Sequence, residues 1–404
     1  GKARGQIVLV RGGLPGEHVR AQVTQVSGVL QGEAVEVVRP HPARLPASEH
    51  PGLDYSFMPY ALQLELKQQV VMDTLGRSQR SANQTKSALK EVPKVIPAPQ
   101  RWHYRHGVQP AYVTGQGLGY RSSSSHNIEI LSYDPVAHLS INRVWHLFDD
   151  LPKGVREVVF RCNATGEVLV CFIASASEKH YLDVAHELVR QGIAGVSYAA
   201  FDARGRFRKG SERLAGKRYL TEQYGAFSTR VTPSSFAQPN PRAASQLYYD
   251  LAELAKAHTS AKKRVLDLFA GSGVIGLHLA EHASEVTAVD IDRANIEQGK
   301  REAKAAGIPN MSFIKQDVRS NPLPAAELIC VNPPRSGLAK PVRERIAQSS
   351  AEQLCYVSCD VATWARDAVA LAATGFELIH AQPYDFYPHT HHIEILSWFV
   401  RASS

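Results

Sequence analysis

Two side chains near the C-terminal end of the sequence are of the types and at the positions that covalent catalysis requires. Cys359 follows the apolar run LCYVS, which predicts a buried strand, and precedes a helix-like run that begins with VATWARD. A cysteine between a strand end and a helix start can have a lowered thiol pKa and act as a nucleophile. Glu394 closes the segment YDFYPHTHHIE before the last strand-like run, and its carboxylate suits a general base. These residues predict nucleophilic catalysis with proton removal.

A glycine-rich turn upstream predicts a site for a nucleoside-containing cofactor. The sequence RVLDLFAGSGVIG, from Arg264 to Gly276, places Gly271, Gly273 and Gly276 between a predicted strand and a predicted helix. The next strand ends on Asp290, whose carboxylate could accept hydrogen bonds from ribose hydroxyls. The pattern alone does not distinguish a nicotinamide dinucleotide from S-adenosylmethionine. A glycine turn that binds nothing remains the plainer alternative.

The composition is that of an ordinary globular protein with a basic surface. The 404 residues are 44% hydrophobic and 21% charged, and the formal net charge is +8, which favours a polyanionic partner. No apolar run approaches the roughly 20 residues needed to cross a bilayer, and no signal peptide is recognisable. The five cysteines are odd in number and contain no C-x-x-C pair, so we expect neither a disulfide framework nor a zinc ribbon. A reducing cytoplasm is the expected location.

The pattern of periodicity changes twice along the chain and predicts three domains. Residues 1–45 contain short alternating runs typical of a small OB-like β-barrel. Residues 46–230 combine a helix over Tyr60 to Arg77 with strand-like runs that indicate an antiparallel sheet. In residues 231–404 strands and helices alternate, which predicts an α/β doubly wound, Rossmann-like sheet with ligands at the carboxyl ends of its strands. The last two strands have no helix between them, so one of them should be antiparallel.

A basic stretch interrupts the central region. RGRFRKGSERLAGKR, from Arg204 to Arg218, contains seven basic residues around one phenylalanine and one glutamate. It could bind phosphates, with Arg206 and Lys209 as candidates, or it could be a solvated hairpin. The sequence does not decide between these interpretations.

Taken together, the motifs resemble those of the RNA uracil-5 methyltransferases that use S-adenosylmethionine. They occur in the family's order as FAQPN, LDLFAGSGVIG, NPPRSG, SCD followed by ATWARD, and YPHTHHIE. The stretch VRGGLPGEHVRAQV resembles the TRAM domain, an RNA-binding β-barrel, although its first strand is missing here. The resemblance extends over nearly the whole chain and is closest in layout to the 23S ribosomal RNA enzymes.

The resemblance implies a mechanism and a set of site residues. The Cys359 thiolate would attack C6 of uracil, C5 would accept the methyl group, and Glu394 would remove the C5 proton. The target uridine would have to be single-stranded or flipped out of its stack. The implied cofactor contacts are Gln238, Phe269, Gly271, Gly273, Asp290, Asp317 and Asn332. The proposed RNA contacts are Arg335, Arg206 and Lys209.

The sequence departs from the family in three places. Val274 replaces an asparagine common in the cofactor loop, and Asn332 replaces an aspartate common after the fourth strand. Many relatives hold a four-iron four-sulfur cluster through four cysteines between the first two domains. Here the corresponding segments contain no cysteine, so we expect no iron–sulfur cluster. A metal site built from His389, His391, His392 and Asp385 is disfavoured because the spacing is unlike that of zinc sites.

The preferred hypothesis is an enzyme that forms 5-methyluridine in RNA, with 23S ribosomal RNA favoured over transfer RNA. A methyltransferase of adenine or guanine amino groups would prefer an aromatic residue where Arg335 stands. A non-catalytic RNA-binding or chaperone protein that has kept the fold remains an alternative. Nicotinamide chemistry explains none of the downstream motifs. We expect a monomer that binds RNA and no membrane.

Overall fold

The computed structural model describes residues 1–3, 6–26, 29–83, 89, 91–122, 127–258 and 263–402. Its N-terminal region is a four-stranded sheet followed by a long helix. The elements are β1 Lys2–Ala3, β2 Gln6–Arg11, β3 His18–Val26, β4 Val29–Arg39 and α1 Tyr60–Ser81. The strands lie in the order β1-β2-β4-β3, with β2 parallel to β4 and the other neighbours antiparallel. The predicted strand-rich beginning is confirmed, and the predicted helix at Tyr60 is four residues longer than expected.

A larger and mainly antiparallel sheet forms the middle of the protein. Its strands are β5 Gly107–Val108, β6 Ala111–Val113, β7 Gly117–Arg121, β8 Ile128–Ile130, β9 Val155–Cys162, β10 Val168–Ala174, β11 Gly195–Ala200 and β12 Glu212–Gly216. The helices α2 Leu139–Val144 and α3 Leu182–Arg190 accompany it. The order is β12-β11-β10-β9-β6-β7-β8, with β5 beside β9. β10 is fully buried along its length, as expected for the centre of a sheet.

A hairpin and a helix lead into the C-terminal sheet. The connecting elements are β13 Leu220–Tyr224, β14 Phe227–Val231 and α4 Pro241–His258. The sheet and its helices follow as β15 Lys263–Leu268, α5 Val274–Leu279, β16 Ala283–Asp290, α6 Arg293–Ala305, β17 Met311–Lys315, β18 Leu328–Val331, α7 Lys340–Gln348, β19 Gln353–Ser358, α8 Val361–Ala372, β20 Phe376–Tyr384 and β21 Glu394–Arg401. Pro241 occupies the first helical position of α4, where its missing N–H costs nothing.

The C-terminal sheet is doubly wound, which confirms the predicted Rossmann-like class. Its order is β17-β16-β15-β18-β19-β21-β20. The strands from β15 to β19 run parallel to their neighbours, and β21 lies antiparallel between β19 and β20. The closing strand pair therefore brings its loop to the same edge of the sheet as the carboxyl end of β19.

Helix α1 packs against the C-terminal sheet although it lies far away in sequence. Its buried Val71 and Leu75 belong to the same hydrophobic cluster as Trp364 of α8 and Phe399 of β21. This contact joins residues 60–81 to the hydrophobic core of the C-terminal sheet. The three domain boundaries inferred from the sequence stay a prediction. Among the described residues, no helix is long and apolar enough to cross a membrane.

Candidate active site

Cys359 and Glu394 lie at the same end of one antiparallel strand pair, where β19 finishes and β21 begins. Ser358, the last residue of β19, pairs with Ile395 of β21. One step further in that register places Cys359 opposite Glu394, which itself pairs with Tyr384 of β20. Residues opposite each other in an antiparallel pair have neighbouring side chains. The two residues predicted to act together are thus brought together by the strand register.

The Glu394 carboxyl group is held in a nearly water-free position. Only 2% of the residue is exposed, and its burial raises the pKa to about 8. The Arg335 guanidinium opposes this shift. Within the described part of the chain the carboxyl group has no hydrogen-bond partner. Glu394 is therefore protonated over much of the neutral range and available to exchange a proton with a ligand.

The predicted lowering of the Cys359 thiol pKa is not what the structure shows. Partial burial and the nearby Glu394 carboxylate raise the pKa, while Arg335 lowers it. The N-terminus of α8 is capped by Asp360 and not by the thiol. The Asp360 Oδ1 accepts a hydrogen bond of 2.8 Å from the Thr363 N–H. In the free protein, burial first and then the Glu394 carboxylate oppose formation of the thiolate, and Arg335 favours it.

A buried aspartate anchors the NPPRSG loop that carries Arg335. Asp367 of α8 is fully buried and accepts hydrogen bonds from the Leu338 N–H at 2.6 Å and the Tyr356 hydroxyl at 3.0 Å. It also pairs with Arg343 and Arg366. The anchored loop leaves the Arg335 side chain exposed, close enough to influence the pKa of Cys359 and of Glu394. The motif ATWARD therefore supports this loop.

The glycines of the turn between β15 and α5 have two different roles. Gly271 has a φ of +58°, and a Cβ there would meet no atom of the described residues within 4 Å. Added Cβ atoms at Gly273 and Gly276 would instead lie 2.6 and 2.7 Å from the Met311 Cε. Gly271 thus faces open space, whereas the other two glycines permit close packing of α5 against the sheet.

Polar groups around the turn fit a bound nucleoside. Asp267 is fully buried, and burial raises its pKa to about 7. Its Oδ2 accepts a hydrogen bond from the Gly276 N–H, whereas its Oδ1 has no partner among the described residues. Asp290 accepts hydrogen bonds from the N–H groups of Gly271 at 2.9 Å and Asp292 at 2.8 Å. The open space above Gly271 and the unpartnered Asp267 oxygen are features that a cofactor with polar groups would use. Sequence analysis did not single out Asp267, although its place in LDLF was visible.

The remaining predicted cofactor residues surround the same edge. Phe269 adopts φ +58°, a strained conformation typical of functional turns. Asn332 follows β18, and among the described residues its carboxamide has no hydrogen-bond partner. The Asp317 carboxylate is occupied by Arg319, at 2.9 and 3.0 Å. The Gln238 side chain interacts with Tyr248, whose pKa is raised by burial and by Glu394.

Segment 54–67 holds the loop between β20 and β21, a role that sequence analysis missed. The Lys67 Nζ lies 2.7 Å from the Asp385 Oδ1, and both side chains are fully buried. Gln63 accepts from the His389 N–H at 2.9 Å, and Asp54 accepts from the His391 N–H at 3.0 Å. This loop precedes Glu394 directly, so α1 and the residues before it position the candidate base.

A signal for these contacts was present in the sequence. Gln63, Lys67, Val71 and Leu75 recur every four residues and form the buried stripe of α1. Two polar residues on an otherwise apolar stripe require buried partners. The sequence showed that partners exist but not where they lie.

His389 is packed as a neutral ring. It stacks on Trp102 with ring centroids 3.7 Å apart and an interplanar angle of 16°. Burial and the Lys67 ammonium lower its pKa to about 4. Among the residues that the structure describes, no group of three or more His, Cys, Asp or Glu side chains could hold a metal ion.

The two basic residues predicted to bind RNA in the central region differ in their surroundings. Arg206 forms an ion pair with Glu157. Lys209 is exposed and has no ion-pair partner in the described ranges. Both lie in the segment between β11 and β12.

Comparisons with known proteins agree with this geometry. Residues 230–356 match the family model described as Methyltransferase small domain. Over 96% of its length the chain is 28% identical to a protein of Nitratidesulfovibrio vulgaris described as an uncharacterized RNA methyltransferase, covering 90% of that protein. A protein of Thermosynechococcus vestitus with the same description is 28% identical, with 98% of this chain and 94% of the relative covered.

A solved structure shares the fold over nearly the whole chain. The Pyrococcus abyssi tRNA (uracil-54, C5)-methyltransferase, in complex with S-adenosyl-L-homocysteine, has a TM-score of 0.78 and 23% identity. The match covers 97% of this chain and 95% of that one. The fold is thus the Rossmann-like fold of the methyltransferases that this chain resembles. The relationship to RNA methyltransferases that the motifs predicted is confirmed by the full-length relatives.

Proposed function

We propose that this protein is an S-adenosylmethionine-dependent RNA methyltransferase that acts on C5 of uracil. The observation that carries the proposal is the placement of Cys359 opposite Glu394, with Arg335 beside both. A nucleophile and a base at the same end of one strand pair suit addition and elimination on a pyrimidine ring. The names of the full-length relatives support RNA as the substrate class.

In the proposed reaction Cys359 and Glu394 act in turn. The Cys359 thiolate forms a bond from Sγ to C6 of uracil, and the electron pair of the C5–C6 double bond moves into an enolate. C5 thereby becomes nucleophilic enough to accept a methyl group. Glu394, once it has released its own proton to water, takes the C5 proton as a carboxylate. The double bond re-forms, and the C6–Sγ bond breaks to release the thiolate. Arg335 favours the anionic forms of both residues.

The residues of the glycine turn fit S-adenosylmethionine. Gly271 would let the backbone approach it, whereas Gly273, the other expected contact, packs against the Met311 side chain. Asp290 would bind its ribose, and Asn332 would supply a polar side chain to the methyl donor or the base. Bound there, the cofactor supplies the methyl group. The Asp317 carboxylate would have to exchange its contact with Arg319 to reach an adenine, so its backbone is the better candidate for that contact.

The proposed RNA is 23S ribosomal RNA, following the layout of the chain, and transfer RNA is the second candidate. Transfer RNA is supported by the Pyrococcus abyssi enzyme, which is named as a tRNA methyltransferase and whose fold matches nearly the whole of this chain. A strand-rich N-terminal region is therefore compatible with either RNA.

The test is mass spectrometry of protein incubated with S-adenosylmethionine and total cellular RNA. We expect wild-type protein to form 5-methyluridine, and Glu394→Gln to accumulate an RNA adduct that survives denaturation. Cys359→Ala should form neither, whereas Cys355→Ala, which removes a buried thiol of β19, should behave as wild type. Sequencing the trapped RNA would identify the target. Absence of both adduct and 5-methyluridine, with the cofactor bound, would refute the proposal.

A further inference from the structure

A polar groove lies between the middle sheet and the C-terminal sheet, outside the candidate active site. Its volume is about 470 Å³. One wall comes from β12 and the residues after it, including Arg213 and Arg218, and the other from the start of α6, including Asn295 and Gln298. The floor contains the hydroxyl-bearing segment from Thr232 to Ser235. Cations and hydroxyl groups that converge in this way suit an anionic ligand.

Ion pairing within the basic stretch shows which of its charges remain available. Four of the seven cations are already paired: Arg204 and Arg208 with Asp202, Arg206 with Glu157, and Lys217 with Glu167. Within the described residues, Lys209, Arg213 and Arg218 have no acidic partner. Arg213 and Arg218 are both exposed, and both line the groove. The positive charge that is not neutralised is therefore concentrated at the groove.

Exposed aromatic side chains accompany these cations. Phe236 lines the groove and is 81% exposed. Tyr219, next to Arg218, is 40% exposed and lies under the Arg230 guanidinium, with 4.5 Å between the guanidinium carbon and the ring centroid. Basic side chains interleaved with exposed aromatic rings are typical of surfaces that bind single-stranded nucleic acid.

The groove adjoins the predicted cofactor site. Asn295 in its wall lies 3.3 Å from the Asp290 Oδ1, measured from its Nδ2. Asp292, which caps α6, also lines the groove. The groove therefore opens at the edge of the sheet where the carboxyl ends of the parallel strands lie.

We propose that this groove binds the sugar-phosphate backbone of the single-stranded RNA that flanks the target uridine, through Arg213 and Arg218. This inference rests on the proposed function for the identity of its partner. Sequence analysis selected Arg206 as an RNA contact, but Glu157 neutralises that residue. The proposed phosphate contacts are instead Arg213 and Arg218, which sequence analysis did not select. The contact is to phosphates, so it adds affinity without selecting a sequence.

The test measures the salt dependence of RNA binding. Full-length protein would be titrated onto a fluorescein-labelled 15-nucleotide oligouridine, with anisotropy recorded from about 50 to 300 mM KCl. Each phosphate contact to a single strand contributes about 0.7 to the slope of log K against log salt. We expect Arg213→Ala/Arg218→Ala to reduce this slope by about 1.4, and Arg213→Lys/Arg218→Lys to preserve it.

A matched control removes the same charge outside the groove. Arg204→Ala/Arg208→Ala deletes two cations that share Asp202, so the slope should change little. Thermal unfolding would confirm that all variants fold. An unchanged slope in Arg213→Ala/Arg218→Ala, or an equal loss in the control, would overturn the inference. If the groove variant loses slope while wild-type protein methylates no RNA, the groove stands and the proposed function fails.

Discussion

Cys359 and Glu394 lie at the same end of the β19–β21 strand pair, one step beyond the paired residues Ser358 and Ile395. Burial raises the pKa of the Cys359 thiol, and the Glu394 carboxylate raises it further. Ionising both groups is unfavourable, because the second negative charge would be placed beside the first in a poorly solvated position. Arg335 counters that cost for both groups. The thiolate is therefore easiest to form while Glu394 is still protonated.

The first prediction concerns the reactivity of the thiol. With the pKa of Glu394 at about 8, wild type and Glu394→Gln should be alkylated by iodoacetamide at similar rates near pH 6.5. Above pH 8 the wild-type carboxylate ionises and opposes the thiolate, so Glu394→Gln should react about 3- to 10-fold faster there. Peptide mass spectrometry would follow Cys359, with Cys355 as the buried internal control. Equal rates at all pH values would show that the two groups do not interact.

The second prediction concerns stability against pH. The folded-state pKa of Glu394 is raised from an ordinary 4.5 to about 8. Its contribution to stability is therefore complete below pH 4.5 and is lost as pH rises towards 8. The free energy of unfolding should fall by at most about 1.4 kcal/mol per pH unit through this residue.

Replacing Glu394 isolates that contribution. Glu394→Gln should show a flatter dependence between pH 5 and 8, measured by urea denaturation in matched buffers. Other groups, including Asp267, remain in both proteins and cancel in the comparison. A difference between the two proteins that does not change with pH would contradict the assignment.

The third prediction concerns the buried pair of Lys67 and Asp385. Lys67→Met leaves a buried carboxylate without its cation and should cost about 3–5 kcal/mol. Adding Asp385→Asn removes that charge and should restore part of the loss. As a control, Lys263→Met breaks a surface pair with Glu352 and should cost at most about 1 kcal/mol. Urea denaturation measures the free energy of unfolding of each variant. If the losses caused by Lys67→Met and Asp385→Asn simply add in the double variant, the two residues are not coupled.

The same variant should affect catalysis at one step. Because Lys67 and Asp385 support the loop before Glu394, misplacing that loop should slow proton removal more than adduct formation. Lys67→Met should therefore retain a larger share of protein as RNA adduct than wild type. Leu75→Ala, which destabilises the same helix but removes none of the polar contacts of Gln63 and Lys67 with the loop, should not raise that share. If adduct and product fall together in Lys67→Met, the lysine has only a structural role.

The fourth prediction separates two glycines of the cofactor turn. A Cβ at Gly271 would point into open space, so Gly271→Ala should lower affinity for S-adenosylhomocysteine by about tenfold or more, and its φ of +58° should cost about 1 kcal/mol in stability. Gly276→Ala would crowd Met311 and Val286 and should mainly destabilise the protein, by about 1–3 kcal/mol. Calorimetric titration and thermal unfolding measure the two effects. Equal loss of affinity in both variants would place the ligand elsewhere.

The features predictable from sequence were those that depend on local order. The run RVLDLFAGSGVIG contains its strand, turn and helix within thirteen residues, and the rule that ligands bind at strand ends then placed Cys359 and Glu394 at one edge. The sequence motif does not distinguish the roles of its glycines, however. Only the structure shows that Gly271 faces open space while Gly276 permits close packing.

The features that could not be predicted depend on charges from distant parts of the chain. A strand end before a helix suggested a lowered pKa for Cys359, but Asp360 caps that helix and Glu394 lies opposite. In the same way Arg206 looked available in a basic run, and its neutralising partner Glu157 lies 49 residues earlier. Sequence spacing carries no information about such pairings.

The loop before Glu394 depends on contacts of very long range. Lys67 and Asp385 are separated by 318 residues, and Gln63 and His389 by 326. Closing so long an interval is entropically costly and is favourable only once the intervening core has formed. The candidate base should therefore reach its working position late in folding, after both sheets are complete. During synthesis Gln63 and Lys67 must wait for nearly all of the described chain to emerge before their partners Asp385 and His389 are available. The C-terminal sheet expressed alone would therefore carry the candidate catalytic residues without the contacts from α1 that position them.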